Sequence, residues 1–301
     1  MLFRGIITPL VTPFREDLSL DLEALRWLAR HQLEGGAHGL FPNSTTGEFV
    51  HLSREEVVRL VEVILDEVGG RLWVLPGISD NSTDRAIELG LILKDMGVDG
   101  VVVTPPFFFK VSGERLRFHF ARIAERLDLP VIIYNIPSTT GINIPVDLYR
   151  ELAGEFSNVA GAKVTLDSLS YLKSLINSVK SIRKDFSVLT GMDHLLLFTL
   201  MIGGDGGVTA LANVTPRLHR EVYDLWVEGK LREAIEENGR LIRLSDIYDV
   251  ATSYPTAIKT ALHVLGTPVK PYVRPPLTQE PREVVERISG ILRELGIMRG
   301  Q

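Results

Sequence analysis

A lysine, a tyrosine and a hydroxyl-rich turn are the residues of this chain best suited to act together. Lys163 closes the apolar run Val159-Ala160-Gly161-Ala162, which reads as a strand buried on both faces. An amine at the carboxyl end of such a strand is costly to bury unless it has a use. Val131-Ile132-Ile133-Tyr134 is a second apolar run, and it ends in a phenol. A third, Gly39-Leu40-Phe41-Pro42-Asn43, runs into Ser44-Thr45-Thr46-Gly47-Glu48. If the three strand ends share one mouth, amine, phenol and hydroxyls meet there. That is the equipment for Schiff-base chemistry on a keto acid.

Each group has a reason to be there. A free lysine titrates near ~10.4, and burial in an apolar mouth lowers that value and makes the amine nucleophilic. Taken singly, Lys163 reads equally well as a strand-end lysine that snorkels to water. Tyr134 can shuttle protons, or simply be an interior tyrosine with a local hydrogen bond. The turn at Ser44-Thr45-Thr46-Gly47 offers hydroxyls and backbone N–H groups to a carboxylate. It is not needed as a helix cap, because Ser53 with Glu56 already forms a capping-box pattern. Asn135-Ile136-Pro137-Ser138-Thr139-Thr140-Gly141 is bounded by Pro and Gly and suits a binding loop. Gly203 to Gly207 allow close backbone approach at the last strand, or only a tight turn into it. Phe107-Phe108-Phe109 is expected to bury at an interface or over the site, and Asp193 reads as a helix cap.

The elements that position these groups alternate regularly. Strand patterns lie at 5–8, 39–43, 72–75, 100–104, 131–134, 159–163, 187–190 and 207–209. Helical patterns fall between them at about 21–35, 53–68, 81–96, 113–127, 145–153, 168–182, 193–202 and 215–227. Strand–helix alternation of this kind gives parallel strands with right-handed crossovers, and eight units match a (β/α)8 TIM barrel. A doubly wound open sheet is the alternative, but Ile7-Thr8-Pro9-Leu10 is not the Gly-rich turn that usually follows its first strand. The barrel is expected over 1–228. A C-terminal helical extension over 229–301, with helices near 230–249, 255–265 and 281–295, is expected to pack on it.

Composition narrows the function. The 301 residues are 45% hydrophobic, enough for a large core. A net charge of -5 argues against a nucleic-acid partner. With no cysteine, thiolate nucleophiles, disulfides and Cys metal sites are excluded, and the 7 histidines show no metal-binding spacing. No apolar run approaches a membrane span and no signal-peptide pattern opens the chain, so a soluble cytoplasmic protein is expected.

With these residues placed, the chain resembles the dihydrodipicolinate synthase / N-acetylneuraminate lyase superfamily of pyruvate-dependent class I aldolases. The likeness runs through Ile7-Thr8-Pro9, Thr12-Pro13-Phe14, Ser44-Thr45-Thr46-Gly47-Glu48, Tyr134-Asn135-Ile136-Pro137 with Thr140-Gly141, Gly161-Ala162-Lys163 and Gly191-Met192-Asp193. It implies a barrel in a homotetramer, with no cofactor beyond a covalent imine on Lys163. It implies Tyr134 as acid/base with Thr45 in the relay, Thr45 and Thr46 on the pyruvate carboxylate, and Val208 lining the pocket. Two positions depart from the synthases. Thr139, a candidate aldehyde contact, stands where they carry an arginine for the aldehyde's carboxylate, and Phe108 stands where a relay tyrosine is usual. A bidentate cation for a carboxylate is not replaced by a threonine. The expected reaction is therefore aldol cleavage or formation between pyruvate and an aldehyde, as for a 2-keto-3-deoxy sugar acid. The alternatives are dihydrodipicolinate synthase itself and a non-catalytic keto-acid-binding barrel.

Overall fold

The computed structural model describes residues 3–298. Its first half runs β1 (Gly5–Pro9), α1 (Leu22–Glu34), β2 (Gly39–Phe41), α2 (Arg54–Val68), β3 (Trp73–Val74), α3 (Thr83–Asp95), β4 (Val101–Val103) and α4 (Glu114–Arg126). Next come β5 (Val131–Asn135), the short α5 (Pro137–Thr140), α6 (Val146–Glu155), β6 (Val159–Val164), α7 (Leu169–Lys180), β7 (Ser187–Thr190), α8 (Leu196–Met201), β8 (Gly206–Val208) and α9 (Pro216–Val227). The chain ends in α10 (Leu231–Ser245), α11 (Ile247–Val250), α12 (Tyr254–Val264) and α13 (Arg282–Glu294).

The eight strands pair in parallel in the order β3-β2-β1-β8-β7-β6-β5-β4. The ring closes just beyond β3, where Gly77 bridges Val102: the Ile78 N–H donates to the Val102 carbonyl at 2.9 Å and the Val102 N–H to that of Pro76 at 3.0 Å. This is the (β/α)8 barrel that the alternation predicts, and the open sheet is set aside. The predicted helices are found within a few residues of their expected ends. The expected Ser53–Glu56 capping box is present on α2. The loop after β5 differs: Pro137–Thr140 coil into one helical turn, started by a proline at its first position.

Apolar side chains divide between two layers, as alternation along a strand requires. Ile7, Phe41, Val102, Ile132, Leu189 and Val208 fill the barrel interior. Ile133, Val131, Val101 and Val103 face outward onto the helices. β6 breaks this rule once. Val159 faces outward and Ala160 inward, yet Ala162 and Val164 again face outward. The change of parity coincides with a register shift against β5, where Val131 pairs with Val159 but Ile132 pairs with Gly161. One extra residue is accommodated, as in a bulge. Beyond it Tyr134 lies beside Lys163.

The C-terminal helices do not build a core of their own. Leu244, Ile247, Ala257, Ile258 and Ile288 belong to the same buried cluster as the outward residues of the barrel strands. Leu241 and Ala234 of α10 pack with Leu218 and Val222 of α9.

Candidate active site

Lys163 sits at the end of β6 and is 3% exposed. Its Nζ lies 4.0 Å from the centre of the Tyr134 ring and 4.9 Å from that of Phe41. Burial among rings disfavours the ammonium and lowers the pKa to about 7, while the Asp193 carboxylate opposes the shift. At neutral pH a large fraction of the side chain is therefore the free amine. The neighbouring Gly191 keeps the space open. A Cβ there would fall 2.0 Å from Thr165 Oγ1 and 3.1 Å from Lys163 Cε.

Tyr134 ends the inward face of β5. Its hydroxyl accepts a hydrogen bond from Thr165 Oγ1 at 3.2 Å and also bonds the Thr45 hydroxyl. Burial pushes the phenol up to about 12, against the opposing effect of both threonines. A phenol held protonated while bonded to two hydroxyls is suited to pass a proton along, taking one as it gives one. Thr165 is one residue beyond β6, and the sequence reading missed it. Its place two residues after Lys163, on the same face of the extended chain, was the available signal.

Thr45 and Thr46 reach the site from the turn after β2. Asn43 enters the turn in the left-handed region (φ 54°), and the Gly47 N–H donates to Ser44 Oγ at 3.0 Å. Thr12 Oγ1 donates to the Gly47 carbonyl at 2.7 Å, which ties the turn to the chain after β1. Val208, from β8, lines the same space. Gly206 beside it serves the barrel rather than the site, because a Cβ there would fall 2.0 Å from the Gly5 carbonyl oxygen.

These groups converge on one cavity of about 340 Å³ at the carboxyl ends of the strands. Its floor is Pro9, Thr45, Thr46, Tyr134, Lys163, Thr165 and Val208. Its mouth is framed by His194, Ser245, Asp246, Tyr248, Asp249 and Tyr254, with Phe198 and Ile242. Among the described residues that line it, Lys163 is the only lysine or arginine.

Several residues lie elsewhere than the sequence suggests. Thr139 is exposed on α5, outside the cavity, with Oγ1 donating to the Ile136 carbonyl at 3.3 Å; it is Ile136 that reaches the wall. Phe108 and Phe109 are 77% and 72% exposed and pack on each other, so they do not cover the site within this chain. Phe107 packs edge-on against Phe49. Asp193 does not cap a helix. It is 3% exposed, and its carboxylate accepts from the Leu211 N–H and from His219 Nε2, both at 3.0 Å, and from the Tyr248 hydroxyl at 3.2 Å. Glu48 is turned away into an ion pair with Lys259 at 2.5 Å. Among the described residues no group of three or more His, Cys, Asp or Glu side chains could hold a metal ion, and no helix is long and apolar enough to cross a membrane.

Comparison with known proteins shows the family. Residues 2–295 match the dihydrodipicolinate synthetase family. A DapA-like lyase of Thermofilum pendens is 62% identical over 98% of both chains. The probable 2-dehydro-3-deoxy-D-pentonate aldolase YjhH of Escherichia coli is 37% identical over 98% of both. The crystal structure of YagE, an Escherichia coli prophage protein of the dihydrodipicolinic acid synthase family in complex with pyruvate, superposes with a TM-score of 0.96 at 33% identity, over 99% of this chain and 100% of that one. An amine buried at the end of the sixth strand of a (β/α)8 barrel, beside a phenol and a threonine turn, is thus set in a chain that belongs to the dihydrodipicolinate synthetase family of carbon–carbon lyases.

Proposed function

We propose that this protein is a class I aldolase that makes or cleaves the bond between pyruvate and an uncharged hydroxyaldehyde, as in a 2-keto-3-deoxy sugar acid. In the cleavage direction the free Lys163 amine attacks the C2 ketone of the substrate. Tyr134 and the Thr45 and Thr165 hydroxyls carry the protons that turn the carbinolamine into an imine and water. The iminium then draws electrons as the C3–C4 bond breaks. The C4 hydroxyl loses its proton to the same relay, the aldehyde leaves, and an enamine remains. Protonation at C3 and hydrolysis of the imine release pyruvate and restore the amine. Thr45 and Thr46 hold the substrate carboxylate throughout, and Val208 lines the pocket beside it. No cofactor takes part in this sequence.

The observation that carries the aldehyde half is the charge of the cavity. Beyond Lys163 it offers no lysine or arginine, and its mouth carries Asp246 and Asp249. An aldehyde with its own carboxylate would be desolvated there without a cationic partner. Hydroxyl groups find donors and acceptors in Ser245, Tyr248, Tyr254 and Asp249. The name of YjhH, an aldolase for a 2-dehydro-3-deoxy-D-pentonate, supports the same class.

The proposal extends to a cytoplasmic homotetramer. The exposed Phe108, Phe109 and Phe118, at 77%, 72% and 60%, support a contact between subunits. Light scattering of the purified protein checks it, and a monomer would reject it.

Borohydride trapping with pyruvate and peptide mapping test the imine: a reduced adduct on Lys163 is expected, and its absence would overturn the mechanism. Glycolaldehyde or glyceraldehyde is then expected to condense with pyruvate much faster than aspartate semialdehyde does. The reverse preference would make the chain a dihydrodipicolinate synthase. An adduct with no aldehyde converted would leave only a keto-acid-binding barrel.

A further inference from the structure

The mechanism above leaves unused a buried charged cluster in the wall of the same cavity. Asp193 forms part of the cavity wall and is the charged group that acts on Lys163. Left unbalanced, a carboxylate in the same wall would favour the ammonium, which cannot attack a ketone. Behind Asp193 lies His219 of α9, fully buried and outside the cavity lining.

We propose that His219 is a positioning residue for the reaction: a buried imidazolium that fixes the Asp193 carboxylate in the wall and offsets its charge toward the Lys163 amine. The proposal rests on the imine reading of Lys163. Its argument is proton counting. His219 Nδ1 lies 2.8 Å from the Thr215 carbonyl oxygen, which has no proton to give, and 3.4 Å from Thr215 Oγ1, whose own proton goes to the Leu211 carbonyl, so Nδ1 carries one. Nε2 lies 3.0 Å from Asp193 Oδ1. That same oxygen already accepts from the Leu211 N–H, and Oδ2 accepts from Tyr248. Hydrogen bonds donated to both oxygens favour the ionised carboxylate. Nε2 must then carry a proton as well, and the ring is positively charged. Lys163, Asp193 and His219 form a graded series of amine, anion and cation, in which the anion neither stands alone nor lies free to turn.

Few other charges compete. The remaining titratable groups of the cavity are the phenols Tyr134, Tyr248 and Tyr254, with His194, Asp246 and Asp249 at the mouth. His194 faces Asp167 at 3.5 Å, Asp246 is paired with Arg243, and Asp249 is exposed. On α9 itself Arg220 pairs with Asp224, and Arg217 and Glu221 are exposed. Of the elements packed on α9, β1, α8 and residues 210–213 carry no charged side chain. On α10, Arg240 pairs with Glu237 and Arg243 also with Glu294, while Arg232, Glu233 and Glu236 are exposed.

His219→Gln keeps a hydrogen-bond donor for Asp193 but removes the charge. The readout is the pH dependence of imine trapping by pyruvate and borohydride. Its acid limb is expected to move up by about one pH unit, so that trapping at pH 6 falls about tenfold. Asp193→Asn is expected to move the limb the opposite way. An unmoved limb in His219→Gln would overturn the proposal, since a merely structural role would lower stability without shifting the profile. Nitrogen-15 NMR of the wild-type imidazoles at the pH of the trapping assay gives a test that needs no variant. His219 is expected to show protons on both nitrogens, and a neutral ring would also overturn it. If the wild-type protein traps no pyruvate, the imine reading fails instead, and the NMR result still decides the charge of His219.

Discussion

Two lysines of this protein are buried equally deep and live opposite lives. Lys259 of α12 is fully enclosed, but its ammonium donates to Glu48 at 2.5 Å and to the Tyr272 carbonyl at 2.7 Å, and it lies over the Phe14 ring. Glu48 also accepts from the Arg274 N–H at 3.0 Å. Arg274 in turn bonds Glu56 and the Leu18 and His51 carbonyls. The result is a brace from the turn after β2 to the C-terminal region. Burial lowers the Lys259 pKa to about 8, against the attraction of Glu48, so it stays mostly charged at pH 7. Lys163 has aromatic faces instead of a bonded carboxylate, and burial takes it to about 7. The contrast teaches that burial alone does not make a lysine a nucleophile. What matters is whether the enclosure supplies a partner for the charge.

The comparison breaks first at Lys163→Met. We expect no detectable turnover and no trapped pyruvate, yet a gain of about 1 kcal/mol in stability at pH 7, because an underpaired amine is replaced by a fitting apolar chain. The pH dependence sharpens this. The folded-state pKa lies below the unfolded value of 10.5, so the unfolded chain binds more protons between about 7 and 10.5. The contribution of Lys163 to stability therefore rises with pH across that window, and denaturant titrations of Lys163→Met should lose that rise. Equal slopes in both proteins would contradict the lowered pKa.

Next in size is Tyr134→Phe, which should reduce kcat by about 10²- to 10⁴-fold while pyruvate still binds. An unchanged kcat would remove Tyr134 from the relay. At the other lysine the effect falls on stability. Glu48→Gln leaves the Lys259 charge buried without its counter-ion and should cost about 3–5 kcal/mol, seen as a fall in Tm of order 10 °C. Pyruvate trapping in the surviving folded fraction should persist; its loss would mean that Glu48 serves the site as well as the brace. Smallest is Thr139→Ala. An exposed side chain outside the cavity should change the KM for the aldehyde by less than about twofold, and a larger change would return Thr139 to the site.

What the sequence disclosed follows from how far each interaction reaches along the chain. The strands were legible because runs such as Val131 to Tyr134 have no polar face, and the helices because apolar spacing of three and four recurs between them. Lys163, Tyr134, Thr45, Thr46 and Val208 all line one cavity because a parallel barrel places every strand end at the same mouth. The misses are of another kind. Asp193 meets His219 26 residues away and Tyr248 55 residues away, and Lys259 meets Glu48 across 211. No local pattern announces such pairs, so Asp193 was read as a cap. Ser245, Tyr248 and Tyr254 reach the mouth from helices whose periodicity predicted packing and nothing more. Thr139 was placed by its position in a motif, and the helical turn at Pro137–Thr140 points it elsewhere.

The parity change in β6 gives the site a sensitivity that substitution experiments would never reveal. Lys163 faces the interior only because one residue too many precedes it on the strand, near Ala160. Were the bulge to flatten with every residue of β6 kept, strict alternation from Val159 would turn the amine out toward the helices, with every chemically active residue still encoded. In this strand the site is written in how residues pair across the barrel as much as in their identity, because a slip of one residue against β5 would reverse every face beyond it.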